Sequence, residues 1–122
     1  MNQNSNRDFL PPNSILGIVG GGQLGRMSAM AAARLGFRSP ILAQHEYEPG
    51  LQVSHGATIG SFNDPDVLRR FADAVDVITF EFENVSANGL DLMSGLRPVR
   101  PSGTILRISQ DREQEKTFLG SI

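Results

Sequence analysis

At 122 residues and 13.2 kDa the chain has room for one domain with a real core, but is small for a complete two-substrate enzyme. Its 39% hydrophobic and 20% charged residues are ordinary for a soluble globular protein, and a net charge of -2 offers no general attraction to nucleic acid or to an anionic membrane. With no cysteine there is no disulfide framework, thiolate nucleophile or cysteine metal site, which fits a cytoplasmic setting, and no apolar run is long enough to span a bilayer.

Residues 1–13 are polar and carry Pro11-Pro12, so they read as a flexible N-terminal extension rather than a secretory signal. Residues 14–19 are a short β-rich run ending in a glycine cluster, the pattern of a buried strand. From residue 23 to 35 the period turns helical, with Leu24, Ser28, Ala31 and Leu35 on one face. That face and Gly25 are small enough for close packing on a sheet, and Gly36 stands where a C-terminal glycine cap belongs.

Residues 39–43 form a second strand, followed by a turn-rich stretch over 44–50, and Ala57-Thr58-Ile59 is a weaker third. Asp64-Pro65-Asp66 marks a helix start: Asp as N-cap, Pro at the first helical position, an acid in the first turn. The helix should bury Val67, Leu68, Phe71 and Val75 and turn Arg69, Arg70 and Asp73 to water. Residues 77–80 make a fourth strand leading directly into Glu81-Phe82-Glu83-Asn84. Ser86 can cap a helix carrying Leu90, Met93 and Leu96, and Val99-Arg100 before Pro101 looks like a last short strand. Helical pieces are expected over 103–108 and 112–119, the second capped by Asp111. Strands alternating with helices predict an α/β fold: an open, mostly parallel, doubly wound sheet.

In such sheets ligands bind outside the carboxyl ends of the strands. Two polar constellations fall on that edge. The first is Gly20-Gly21-Gly22-Gln23-Leu24-Gly25-Arg26, which satisfies G-x-G-x-x-G and sets free backbone N–H groups and a helix dipole against an anion. A dinucleotide site also requires an acid at the end of the second strand, ~20 residues on, for the ribose hydroxyls. Here that strand ends Leu42-Ala43-Gln44, with Glu46 the nearest acid and in a loop. The glycines alone also suit a plain tight turn, but Gln23 and Arg26 add polar side chains at the helix start, which suit a lone phosphate as well as a diphosphate.

The second constellation is Glu81, Glu83 and Asn84. Alternation sends both carboxylates to one side, where they can accept hydrogen bonds from ribose hydroxyls or an amine; a solvated loop is the alternative. No histidine stands nearby to support a metal or acid–base pair, and His45 and His55 read as surface or structural residues. Arg97, Arg100, Arg107, Arg112 and Lys116 read as a solvated face rather than a nucleic-acid patch, because acids alternate with the last of them.

The run Ile15-Leu16-Gly17-Ile18-Val19-Gly20-Gly21-Gly22-Gln23-Leu24-Gly25-Arg26 with Thr79-Phe80-Glu81-Phe82-Glu83-Asn84-Val85 resembles the amino-terminal domain of N5-carboxyaminoimidazole ribonucleotide synthetases, purine-pathway enzymes of the ATP-grasp superfamily. Gln110-Asp111-Arg112, with Glu115-Lys116 and Phe118-Leu119 behind it, resembles the family's next landmark. Many members carry Asp-Pro where this chain has Ala43-Gln44.

The resemblance implies a Rossmann-like pre-ATP-grasp, substrate-binding domain over residues 14–110, with 111–122 beginning a helix that leads into an ATP-grasp domain. It implies an ATP-dependent ligase that activates bicarbonate as carboxyphosphate and carboxylates the exocyclic amine of 5-aminoimidazole ribonucleotide, with Mg²⁺ accompanying ATP. By the same resemblance Gly22, Gln23 and Leu24 lie at the substrate phosphate, Glu81 at the substrate ribose or amine, and Arg112 at ATP. No catalytic or metal-binding residue is assigned within the 122 residues, so the chain alone is expected to be inactive, and the full-length enzyme to be a cytoplasmic homodimer. Two other readings stand beside this one: a dinucleotide-binding domain of a dehydrogenase or regulator, and a non-catalytic α/β interaction module.

Overall fold

A computed structural model describes Pro11 and residues 13–80 and 85–101. Five strands form one sheet: β1 (Leu16–Val19), β2 (Ile41–Ala43), β3 (Ala57–Ile59), β4 (Val77–Phe80) and β5 (Val99–Pro101). Their order is β3-β2-β1-β4-β5, and every pairing is parallel. The helices are α1 (Gln23–Arg34), α2 (Pro65–Asp73) and α3 (Ala87–Ser94), and a 3₁₀ turn spans Pro49–Val53. This is the doubly wound α/β sheet that alternating strands and helices require.

The two faces carry separate cores. On one, α1 and the 3₁₀ turn cover Leu16, Ile18, Ile41, Ala43 and Val77, with Ala29, Ala32 and Phe37 packed in. On the other, Val67, Leu68 and Phe71 of α2 and Met93 of α3 pack on Val19, Leu42, Ile78 and Phe80. Leu16, Ile41, Leu42 and Ile78 are fully enclosed, as strands of a sheet covered on both sides must be. Edge strand β3 carries exposed Ala57 and Ile59.

Local chemistry sets the element ends. The Asp64 carboxylate accepts from the Asp66 N–H at 2.9 Å, with Pro65 opening α2, as the sequence predicts. The Ser86 hydroxyl likewise accepts from the Gly89 N–H at 3.1 Å and caps α3. Gly36, at φ +86°, ends α1: its N–H reaches the Ala33 carbonyl and that of Phe37 reaches Ala32, both at 3.0 Å.

Two expectations change. The first strand begins at Leu16 and the second at Ile41, shorter than the apolar runs, although Ile15 still bridges Arg38. The buried face of α1 is Gly25, Ser28, Ala29, Ala31 and Ala32: it keeps the expected Gly25, Ser28 and Ala31 but not Leu24 and Leu35 at the ends of the row. Leu24 is 48% exposed and Leu35 half-buried, because a helix this close to β1 presents only its smallest side chains to the sheet. The expected flexible segment over 1–13 lies outside the described residues except for Pro11 and Asn13, and the helices expected over 103–108 and 112–119 lie wholly outside them.

Candidate functional site: a glycine loop at the sheet's switch point

The sheet order places β1 between the half that runs on to β2 and β3 and the half made of β4 and β5. Val19 at the end of β1 is the register partner of Phe80 at the end of β4. The glycine loop therefore leaves the sheet at its topological switch point, where open α/β sheets bind ligands.

Each glycine in the loop has its own physical reason. Gly20 sits at φ +120°, a region that side chains rarely enter, while its N–H donates to the Leu42 carbonyl at 2.8 Å. A Cβ on Gly25 would drive into the Gly20 carbonyl oxygen, so the first turn of α1 lies directly on the loop that precedes it. A Cβ on Gly21 would stand 2.9 Å from the Cβ atoms of both Ala43 and Glu48. Gly22 differs: it has φ -74°, and among the described residues nothing lies within 4 Å of an added Cβ. Neither folding strain nor packing within the described chain requires glycine there. The open side of the loop is at Gly22.

Gly22 is also the N-cap of α1 and offers no side-chain cap to the helix. Its first turn carries no acid, and the first helical hydrogen bond across the loop is Arg26 N–H to the Gly22 carbonyl at 2.9 Å. The N–H groups of Gln23, Leu24 and Gly25 thus precede the helix's own bonding pattern, at the positive end of its dipole. Such an arrangement can accept an anionic oxygen cluster such as a phosphate. Gln23 and Leu24 are both exposed there, as a ligand-facing pair requires.

Arg26 serves another purpose than the one its position suggests. Its Nη1 donates to Gln52 Oε1 at 2.7 Å and to the Pro49 carbonyl at 3.4 Å, tying α1 to the 3₁₀ turn. The acid at the end of β2 is Glu48 in space, although Glu46 is nearer in sequence. Glu48 Oε2 accepts from the N–H groups of Gln44 and His45 at 2.8 and 2.7 Å, and Gly50 N–H donates to the Gly21 carbonyl at 2.6 Å. The Glu48-Pro49-Gly50 sequence marks a turn, but nothing in the spacing says that the turn folds back onto the glycine loop.

The histidines are structural or superficial, as expected. His55 Nδ1 accepts from the Ser39 N–H at 3.2 Å, and exposed His45 stacks on Tyr47 with ring centres 5.1 Å apart. Arg97 Nε donates to the Val75 carbonyl at 2.8 Å, a tie between elements rather than a binding group. Glu81, Glu83, Asn84 and Arg112 lie outside the described residues. Among the described residues no three His, Cys, Asp or Glu side chains come together as a metal site.

Comparison with known proteins agrees with this geometry. The family model "Ribonucleotide synthetase preATP-grasp domain" matches residues 14–110, which includes all five strands. The N5-carboxyaminoimidazole ribonucleotide synthase of Brucella melitensis is 47% identical over 110 residues, covering 90% of this chain and 30% of the relative. That of Bacillus subtilis is 31% identical over 115 residues, covering 94% and 30%. The solved N5-carboxyaminoimidazole synthetase of Staphylococcus aureus superposes with a TM-score of 0.71 at 36% identity, over 74% of this chain and 24% of that one. The Aspergillus clavatus synthase, in complex with ADP and 5-aminoimidazole ribonucleotide, gives 0.64 at 29% identity, over 86% and 30%. The chain spans about 30% of the length of the two curated relatives. A dinucleotide-binding domain is not favoured by these likenesses, and the parallel sheet with its glycine loop has the same explanation as the sequence match: the chain belongs to the ribonucleotide synthetase preATP-grasp domain family.

Proposed function

We propose that this chain is the substrate-binding part of an ATP-dependent carboxylase that converts 5-aminoimidazole ribonucleotide and bicarbonate to N5-carboxyaminoimidazole ribonucleotide in purine biosynthesis. The observation that carries the reading is the N-terminus of α1 at the switch point, with no acid in its first turn, no side-chain cap from Gly22 and, among the described residues, open space beside Gly22, in a chain 47% identical to such a synthase. Gly22, Gln23 and Leu24 hold the substrate phosphate: backbone N–H groups contact its oxygens and the helix dipole stabilises its charge. Glu81 follows Phe80, the partner of Val19, and in this reading accepts from the ribose hydroxyls or the amine. Arg112 contacts ATP.

The division into a substrate-binding domain over 14–110 and the start of an ATP-grasp region over 111–122 belongs to the same proposal. ATP supplies the activation of bicarbonate, with Mg²⁺ accompanying it; among the described residues no His, Cys, Asp or Glu cluster forms a metal site. What this chain contributes is binding and orientation: it fixes the phosphate and thereby the sugar and its amine. The whole enzyme is proposed to be a cytoplasmic homodimer; no helix among the described residues is long and apolar enough to cross a membrane.

The test is substrate-dependent turnover in the polypeptide that carries this domain. ATP consumption should require both bicarbonate and 5-aminoimidazole ribonucleotide, and Glu81→Gln should raise the KM for the ribonucleotide more than that for ATP. Tight NADH binding with no ribonucleotide-dependent ATP consumption would sink the reading; equal effects on both KM values would remove Glu81 from the site.

A further inference from the structure

The segment that follows β2 is fastened to the glycine loop at several points. Glu48 Oε2 gathers the Gln44 and His45 N–H groups at 2.8 and 2.7 Å and so closes the turn on itself. The Glu48 side chain packs on Gly21, since an added Cβ there would meet Glu48 Cβ at 2.9 Å and Oε1 at 3.2 Å. Gly50 N–H holds the Gly21 carbonyl at 2.6 Å, and a Cβ on Gly50 would stand 2.9 Å from that same oxygen. Arg26 locks the far end through Gln52 and Pro49.

All of these contacts lie on the β2 side of the loop. In a dinucleotide site that is the ground the second phosphate and the adenosine ribose cross, toward an acid that accepts from the ribose. Here the ground is filled, and the acid spends one oxygen on its own turn. Its charge beside Gly21 also opposes a second phosphoryl group on that side. Among the described residues nothing lies within 4 Å of a Cβ added at Gly22, and β4 lies on the other side of β1 with Phe80 level with Val19.

We propose that Glu48, with the 44–50 segment it fastens, makes the anion site one-sided: it admits a phosphomonoester whose sugar runs toward β4 and excludes a dinucleotide. The inference rests on the phosphate reading of the α1 N-terminus and adds to it a selectivity determinant. Glu48 acts as a positioning residue; it touches the loop, not the ligand.

The probes are ribose 5-phosphate and ADP-ribose, titrated into the 122-residue chain and followed by backbone amide shifts. Ribose 5-phosphate should move the amides of Gly22, Gln23, Leu24 and Phe80 and leave Gln44 and Tyr47 in place. ADP-ribose should bind about tenfold more weakly or worse, and Glu48→Ala should narrow that ratio about tenfold. Glu48→Gln, which keeps the shape and one oxygen acceptor, should preserve most of the ratio. ADP-ribose binding to the unchanged chain as tightly as ribose 5-phosphate would overturn the inference even if Glu48→Ala fails to fold. A ratio unmoved in a folded Glu48→Ala chain, or ribose 5-phosphate shifts centred on residues 44–47, would overturn it too. No response to ribose 5-phosphate at all would remove the phosphate reading itself, and this inference with it.

Discussion

Gly22 and Gly25 stand three residues apart and carry opposite demands. Glycine inside a helix ordinarily costs about 0.5–1 kcal/mol relative to alanine. At Gly25 that gain is overruled, because the new methyl would meet the Gly20 carbonyl. Gly25→Ala should therefore destabilise the chain by about 1–3 kcal/mol, read as a lower denaturant midpoint. At Gly22 the backbone conformation suits any residue and the surroundings are open. Gly22→Val should leave the core intact and cost little beyond the poor capping of a β-branched residue, about 1 kcal/mol. Its effect should fall on ligand: phosphate-dependent shifts at Gln23 and Leu24 should weaken at least about tenfold. Unchanged affinity would return Gly22 to a purely structural turn. The sequence presents both residues as members of one G-x-G-x-x-G pattern; only neighbouring atoms separate them.

Element boundaries were legible where a side chain bonds its own backbone. Asp64 and Ser86 cap α2 and α3 because their oxygens reach N–H groups two and three residues on, an interaction written in local sequence. Asp64→Ala should cost about 1 kcal/mol and lower the thermal midpoint by about 4–8 °C, the drop expected for a domain of this size. Asp64→Ser should recover most of the loss, and a midpoint indifferent to both would deny the cap its role. The buried face of α1 was legible only in its small residues Gly25, Ser28 and Ala31. Leucines at helical spacing look like a core row, yet Leu24 is exposed and Leu35 half-buried, and the buried residues are Gly25, Ser28, Ala29, Ala31 and Ala32. Hydrophobic periodicity reports which residues avoid water, whereas interaxial distance selects which of them fit. The 3₁₀ turn at Pro49–Val53 escaped for a related reason: five residues complete too few turns to show a period.

At the scale of the whole molecule, β1 divides the sheet and the glycine loop marks the division. The 3₁₀ segment and α1 brace that loop on one side, while β4 brings the Val19–Phe80 pair level on the other. The chain corresponds to about 30% of the synthases it resembles. Substrate recognition and turnover should separate accordingly: the 122 residues alone should show ribonucleotide-dependent amide shifts at the loop without measurable ATP consumption. ATP consumption by the chain alone would place catalytic groups within it.

By itself the sequence determined the parallel α/β class, the Asp64 and Ser86 caps and the strand–glycine–helix unit, because each rests on spacing between residues close in the chain, and the family, because three motifs stand in order along it. Strand order, the separate duties of the four loop glycines, the diversion of Arg26 to Gln52 and the turn of Glu48 against Gly21 were decided only by tertiary structure. These depend on which distant backbones come within van der Waals reach. A glycine that frees a dihedral, one that admits a neighbour and one that leaves room for a ligand are the same letter until the neighbours are in place.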